Sequence, residues 1–156
     1  MTTTVRALTT AEIGSAGFLA LLWEAAGVET GALLRIRDAE LPTLQVIGAA
    51  PAEVDGFAAF DERDGHLELH YIAVSDAARG GGLGSRLVDA VRHAAPHLEL
   101  HAATDDDAVE FYRRIGFAIA PGPRDPRWPD RPRYACTITP LNEKHDEKPP
   151  PRRPES

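Results

Sequence analysis

Residues 67–84, LELHYIAVSDAARGGGLG, decide the predicted fold. The first eight alternate as in a β-strand, which predicts one face with Leu67, Leu69, Tyr71 and Ala73 and another with Glu68, His70, Ile72 and Val74. A run with four glycines follows, and then an amphipathic helix whose apolar side carries Leu83, Leu87, Ala90, Val91 and Ala94. This order is typical of a phosphate-binding turn, because glycines let an anion approach the free backbone N–H groups at a helix start.

Two common phosphate-binding fingerprints do not match this loop. A Walker loop needs Gly-Lys-Ser/Thr, whereas Gly84 is followed by Ser85 and Arg86. The dinucleotide fingerprint fails because Ser85 or Leu87 stands where its third glycine would be. The pattern that remains is Arg79, two residues, Gly82, one residue, Gly84. A glycine-rich turn without a ligand is the alternative that so short a pattern leaves open.

The pattern resembles the pyrophosphate motif of the GNAT superfamily of N-acetyltransferases, Gln/Arg-x-x-Gly-x-Gly/Ala. A second segment, Ala108-x-x-Phe111-Tyr112-x-x-Ile115-Gly116-Phe117, looks like the family's second cofactor-facing segment, a helix that carries a tyrosine and ends in Gly-Phe. The resemblance covers residues 5–138, and its specific motifs lie within 67–117. It implies an α/β (α+β) fold with a mixed, mostly antiparallel central sheet of six to seven strands, flanked by about four helices.

The resemblance also implies acetyl-CoA as co-substrate. In the family, pantetheine lies where two neighbouring strands separate, which here would be residues 66–74 and 98–103. The implied cofactor-binding residues are Ile72, Ala73 and Val74 on the strand, and Arg79, Gly80, Gly81, Gly82, Leu83, Gly84 and Ser85 on the loop. The Val74 N–H would polarise the thioester carbonyl. The amides of residues 80–85 would hold the pyrophosphate.

Three residues are candidates for proton transfer. A free alkylamine has a pKa near ~10, so a base must remove its proton before it attacks an acyl group at pH 7. Glu68 matches the catalytic glutamate of histone-acetylating family members and is the first candidate, and His70 is the second. Tyr112 matches the tyrosine that protonates the leaving thiolate. For each of them, a purely structural role is the alternative.

Other polar residues have weaker signals. His66, Glu68 and His70 share a predicted strand face and could bind zinc, but no further ligand cluster is evident, so we expect no metal. His93, His97 and His101 lie outside the motifs and are expected to be surface or packing residues. Asp105 stands where the family often has a cofactor-contacting asparagine, and a carboxylate there cannot donate a hydrogen bond.

Length and charge limit the function classes. The chain has 156 residues, which suits one domain, and a formal charge of −7. Residues 141–156 contain four basic and four acidic side chains, so the whole −7 belongs to the rest of the chain. Such a surface repels nucleic acid and is compatible with a cationic amine acceptor. The single cysteine, Cys136, is expected to be a buried, inert thiol.

The predicted organisation is a GNAT domain over residues 1–140 and a disordered, charged, proline-rich tail over 141–156. Thr10 is predicted to cap one helix that ends at Gly27. Trp23 on this helix is expected to pack in the core; the alternative, which the resemblance implies, is that it faces the acceptor site. No apolar run approaches the ~20 residues of a membrane helix, so we expect a cytoplasmic protein with no membrane partner. GNAT proteins often pair through C-terminal strands, so a homodimer is allowed by the resemblance.

The function predicted from these observations is an N-acetyltransferase that moves an acetyl group from acetyl-CoA to a primary amine by direct attack in a ternary complex. The acceptor, a small molecule or a peptide, is not identified by the sequence. The alternative is a non-catalytic GNAT-like module that binds acyl-CoA as a sensor or interaction domain.

Overall fold

The computed structural model describes residues 4–126 and 128–141. Seven strands form one sheet in the order β1-β2-β3-β4-β5-β7-β6. The strands are β1 (Arg6–Ala7), β2 (Gln45–Ala49), β3 (Gly56–Arg63), β4 (His66–Val74), β5 (Leu100–Asp105), β6 (Ala118–Pro121) and β7 (Arg133–Ile138). Neighbouring strands are antiparallel except for the parallel pair β4 and β5. The predicted mixed, mostly antiparallel sheet is confirmed. The predicted tail lies outside the described residues from 142 onward.

Within these described ranges, five α-helices flank the sheet: α1 (Thr10–Ile13), α2 (Ala16–Ala26), α3 (Thr30–Arg35), α4 (Leu83–Ala94) and α5 (Val109–Ile115). A π-helical turn, Ile36–Glu40, and a 3₁₀ turn, Leu41–Thr43, lead from α3 to β2. No single helix in the described residues is long and apolar enough to cross a membrane. One bent pair, Ala16–Ala26 with Thr30–Thr43, would pass by length and composition, with a bend of 112° between its halves.

The first helical segment differs from its prediction. Thr9, not Thr10, caps α1, because its side chain accepts from the Glu12 N–H while the Glu12 carboxylate accepts from the Thr9 N–H. The helix stops at Gly14, and Ser15 caps a second helix, α2. The prediction for Trp23 is also wrong: its side chain is 56% exposed. The core of α2 is formed instead by Phe18, Leu21 and Leu22.

The two faces of the sheet carry separate cores. On one face α4 buries Leu83, Leu87, Val88 and Val91 against Phe60, Leu67 and Leu69. Cys136 is fully buried in this core, and burial raises the pKa of its thiol, which agrees with the expected inert role. On the other face α2 and α3 cover Phe57 and Ala59 with Phe18, Leu22 and Leu33. The part of the sheet that α4 covers on one face therefore differs from the part that α2 and α3 cover on the other.

A β-bulge at His70 changes the predicted strand faces. Ala59 pairs with Tyr71 and Phe60 pairs with Leu69, so His70 is an extra residue in β4. Leu67 and Leu69 share the α4 core with Ile72 and Val74, whereas Tyr71 and Ala73 pack on the α2 side. The predicted grouping of Tyr71 and Ala73 with the leucines is therefore wrong, because one extra residue reverses the alternation from that point onward.

Gly48 in β2 provides a test of the packing between strands. A Cβ at Gly48 would lie 2.4 Å from the Gly56 carbonyl oxygen and 3.0 Å from the Leu8 side chain. Gly48→Ala should lower the free energy of unfolding by about 1–3 kcal/mol, because backbone must move. Gly17→Ala on α2 is the matched control, because a Cβ at Gly17 would meet no atom within 4 Å. This substitution should raise the free energy of unfolding by about 0.5 kcal/mol. Urea unfolding measures both, and equal effects would contradict the packing argument.

Candidate functional site

The centre of the sheet opens where β4 and β5 stop pairing. Their register covers only Leu67 with Leu100, Glu68 with His101 and Leu69 with Ala102. Beyond this point β4 continues to Val74 along β3, while β5 continues to Asp105 along β7. Residues 70–74 are accordingly half-buried although they lie in the middle of a seven-stranded sheet. The two strands enclose a gap that leaves the facing backbone edge of β4 without a partner strand in the described chain.

The backbone direction along β4 shows which groups face this gap. The Leu67 N–H donates to the Glu99 carbonyl oxygen, toward β5, and the Ser75 N–H donates to the Asp55 carbonyl oxygen, toward the β3 side. Backbone groups alternate along a strand, so we count back from Ser75, on the near side of the bulge at His70. The N–H and C=O groups of Val74 and Ile72 then point into the gap. Those of Ala73 point to β3, and its side chain packs on the α2 side. Ala73 therefore directs no hydrogen-bonding group into the gap.

The glycine loop lies between the end of β4 and the first turn of α4. Gly80 and Gly82 have positive φ angles of 86° and 81°, which favour glycine. A Cβ at either position would meet no described atom within 4 Å, so the backbone there is open. Leu83 anchors the loop in the core, and Gly84 packs so closely on Phe111 that a Cβ would lie 2.7 Å from its ring. The loop and the exposed Ser85 can hold an anion at the helix start.

Arg79 links this loop to α2. Its guanidinium lies 3.3 Å from the Glu24 carboxylate and 3.1 Å from Asp76, and its Nε donates to the Val74 carbonyl oxygen at 3.3 Å. The side chain is 60% exposed, so these contacts are screened by water. Arg79 can therefore exchange these partners for an anion at the loop.

Tyr112 lies on α5 beside the second motif. It is buried, and its ring makes edge contacts with Phe111 and Phe117, with centroids 5.2 Å away in both cases. Burial raises the pKa of its hydroxyl, so the phenol stays protonated at neutral pH. Tyr112 is therefore in the form that donates a proton.

A polar cluster lies on the α2 face of the sheet at the start of the gap. His66 Nε2 is 2.9 Å from Glu68 Oε1, and His70 Nε2 is 2.8 Å from Asp61 Oδ1. Arg63 also donates to Asp61, and these two partners lower the pKa of the Asp61 carboxyl. His66, Glu68 and His70 thus lie in one region, as predicted. Glu68 is already hydrogen-bonded to His66, and His70 is already hydrogen-bonded to Asp61.

Asp61 and the position of His101 were not predicted from the sequence. The residues Asp64 and Gly65 have positive φ angles and form a two-residue hairpin turn, with Arg63 opposite His66. Counting back from this Asp-Gly turn places Asp61 opposite Glu68, so the signal was present. His101 was expected to be a surface or packing residue, but its ring stacks on His66 with centroids 3.9 Å apart. The residues around His101 do not indicate that its strand, β5, pairs with β4.

Asp105 has local partners at the end of β5. Its Oδ1 accepts the Asp107 N–H at 3.0 Å, and its Oδ2 lies 3.9 Å from the Arg131 guanidinium. The carboxylate thus stabilises the turn into α5.

A protein-family model matches part of the sequence, and solved structures match the fold. Residues 44–119 match the family model described as acetyltransferase (GNAT) domain. No curated protein matches the sequence. A Desulfovibrio desulfuricans structure, described as a putative acetyltransferase of the GNAT family, has a TM-score of 0.69 at 18% identity, over 88% of this chain and 99% of that one.

Two further solved structures share the fold. One is a Corynebacterium glutamicum structure described as histone acetyltransferase HPA2 and related acetyltransferase, with a TM-score of 0.65 at 22% identity, over 90% of this chain and 97% of that one. The other is an aminoglycoside 6'-N-acetyltransferase complexed with coenzyme A, with a TM-score of 0.67 at 14% identity, over 87% and 96%. At these identities the likeness concerns the fold. With the glycine loop and the separated strands, the matched model shows that residues 44–119 of this chain form a GNAT acetyltransferase domain.

Proposed function

We propose that the protein is an acetyl-CoA-dependent N-acetyltransferase whose acceptor is a primary amine. The observation that carries the proposal is the gap between β4 and β5, which ends at a glycine loop on the first turn of α4. An unpaired strand edge binds amides, and a loop of free N–H groups binds phosphates. Pantetheine amides followed by a pyrophosphate present these groups in that order.

The chain has suitable groups along the whole path. Backbone groups of Ile72 and Val74 would pair with the pantetheine amides, and the amides of residues 80–85 would hold the pyrophosphate with Arg79. Leu83 contributes backbone only, since its side chain is buried. Coenzyme A bound to the aminoglycoside acetyltransferase of the same fold supports this assignment. When bound, acetyl-CoA supplies the activated acetyl group, and the Val74 N–H is the proposed donor to its carbonyl oxygen.

Proton transfer is assigned to residues on both sides of the gap. Glu68 is the proposed base for the acceptor amine, with His70 as the second candidate. Both side chains are partly exposed, at 26% and 20%, so an amine can reach them from solvent. Tyr112 is the proposed proton donor to the thiolate through its match to the family's tyrosine. Burial raises the pKa of its hydroxyl, so the phenol stays protonated and can offer a hydrogen bond to the thiolate as it leaves.

The acceptor face favours a cation. Glu40 accepts from the Tyr71 hydroxyl, and Asp61 and Glu68 lie on the same face of the sheet. Arg63 lies next to Asp61 and Glu68 and is bound to Asp61. A protonated amine is therefore attracted before it loses its proton. A small molecule and a peptide both satisfy this requirement. A cytoplasmic location stays the expectation from the sequence.

Cofactor binding can be tested at Gly81. This residue has an ordinary φ angle, and its nearest contact to an added Cβ is the Ala78 carbonyl oxygen at 3.5 Å, so Gly81→Glu adds charge without strain. Acetyl-CoA at about 100 times its dissociation constant should stabilise the parent by about 2.7 kcal/mol, seen as a rise in Tm of several degrees. Gly81→Glu should lose most of this shift, because its carboxylate repels the phosphates.

Gly31→Glu is the matched control for charge and residue type. It lies on α3, where an added Cβ meets only Arg35, at 3.9 Å, and it should keep the parental shift. If the parent does not respond to millimolar acetyl-CoA, the loop is only a turn and the proposed function fails. A response without transfer to any amine in a broad panel would favour the non-catalytic acyl-CoA-binding module.

The base can be identified by comparing Glu68→Gln with His70→Gln. Glu68→Gln should lower kcat by about 100-fold or more, because the amide cannot accept the ammonium proton, while the shift in Tm with acetyl-CoA is retained. His70→Gln should lower kcat by less than about tenfold. Release of the coenzyme A thiol at saturating amine measures both. The reverse order of effects would transfer the role to His70.

Tyr112→Phe tests the leaving-group step. The phenyl ring keeps the contacts with Phe111 and Phe117, so the fold and the binding of acetyl-CoA should be retained. The turnover number should fall by about 10- to 100-fold, because the thiolate loses its proton donor. Phe111→Leu is a neighbouring control that keeps the hydroxyl. Unchanged turnover in Tyr112→Phe would leave this tyrosine a packing role only.

A further inference from the structure

The polar cluster contains a set of side chains that suits a metal ion. His66 and Glu68 on β4 and His101 on β5 each offer one ligand atom, and these atoms all lie within 4.8 Å of one another. Glu68 and His101 are register partners in the short paired part of the two strands. We propose that His66, Glu68 and His101 bind a Zn²⁺ ion, and that the bound ion inhibits acetyl transfer by occupying Glu68.

The donor set matches zinc chemistry. Two imidazoles and one carboxylate form a ligand set for Zn²⁺, with a fourth position left for water. A tetrahedral ion with bonds of about 2.0–2.1 Å places two such donors about 3.3 Å apart. His66 Nε2 and Glu68 Oε1 are 2.9 Å apart, and His66 stacks on His101 with an angle of 16° between the rings. Both imidazole lone pairs must converge on the ion, so His66 and His101 would tilt out of their stack as the ligand atoms, now within 4.8 Å of one another, close around it.

An outer carboxylate orients the third ligand. Glu99 Oε1 lies 2.9 Å from His101 Nε2. When that nitrogen carries the proton, the lone pair of His101 Nδ1 is available to a metal, an arrangement that also makes the imidazole a stronger ligand. Glu99 is two residues from His101 and is therefore a local feature of the approach to β5.

Exposure and charge also favour an ion from solvent. The side chains of His66, Glu68 and His101 are 20%, 26% and 33% exposed, so they are reachable, yet each stands on a paired strand that limits its movement. Glu68 and Glu99 contribute negative charge. Arg63 interacts electrostatically with Glu68 but is itself held by Asp61 at 2.8 Å. The net local field attracts a divalent cation.

Inhibition rests on the proposed function of Glu68. A carboxylate oxygen that donates its lone pair to Zn²⁺ accepts a proton much less readily, because the ion withdraws electron density. The same side chain cannot serve the metal and the acceptor amine together. Binding of the ion is independent of this consequence and is measured separately.

The binding test uses the full chain, treated with a chelator and dialysed, and titrated with ZnCl₂ against a chromophoric chelator. We expect one ion per chain in the parent, and an affinity lower by about tenfold or more in His101→Ala and in Glu99→Gln. His97→Ala is the matched control, an exposed histidine outside the cluster, and should bind like the parent. Co²⁺ should give the visible absorption of a tetrahedral site in the parent and lose it in His101→Ala.

The outcomes separate the two parts of the proposal. Absence of one-to-one binding in the parent, or an equal loss in His97→Ala, overturns the metal site. Thermal unfolding without metal shows whether His101→Ala is folded, and Glu99→Gln decides the question if it is not. Zinc should inhibit transfer in the parent at about tenfold lower concentration than in Glu99→Gln, relative to the zinc-free rate of each. Binding without inhibition overturns the role of Glu68 and leaves the site in place.

Discussion

The rest of the structure depends on the interruption of hydrogen bonding between β4 and β5. Backbone N–H and C=O groups must find partners, and a strand inside a sheet normally finds them on both sides. Here β4 is fixed by β3 and β5 is fixed by β7, so each strand is held from its outer edge after their own pairing ends at Leu69 and Ala102. The backbone groups of Ile72 and Val74 are therefore held at the open edge of β4.

The bulge at His70 couples this gap to the polar cluster. The extra residue returns Ile72 and Val74 to the α4 core, so that helix and glycine loop stay joined to β4 by apolar packing. It also leaves Tyr71 and Ala73 on the side covered by α2. Beyond the reach of α2, the same face carries Asp61 and Glu68. One inserted residue thus places Ile72 and Val74 on the α4 side and Tyr71 on the α2 side, which also carries Asp61 and Glu68.

The sequence predicted the parts of the site that are encoded within one segment. The glycine loop was predicted, and it has its open backbone because of Gly80 and Gly82. The Asp64-Gly65 turn, which sets the register that places Asp61 opposite Glu68, was an equally local signal, but Asp61 was not predicted from it. The prediction was wrong where one local sequence signal for a helix end competed with another. Gly14 and Ser15 split the first helix, since Ser15 caps a new one, and Trp23 lies on the exposed side of α2. The bulge at His70 had no local signal, because the alternation of residues 67–74 continues through it.

The sequence by itself determined the sheet class, the phosphate-type loop and the family resemblance, because these depend on residue types at short spacing. Only the tertiary structure decided which residues lie together at the gap. His101 is more than thirty residues from His66, yet parallel pairing of β4 with β5 stacks their rings, whereas nearby His70 is directed to Asp61. The physical reason is that strand pairing joins distant segments through backbone hydrogen bonds, which carry no side-chain signal in the sequence.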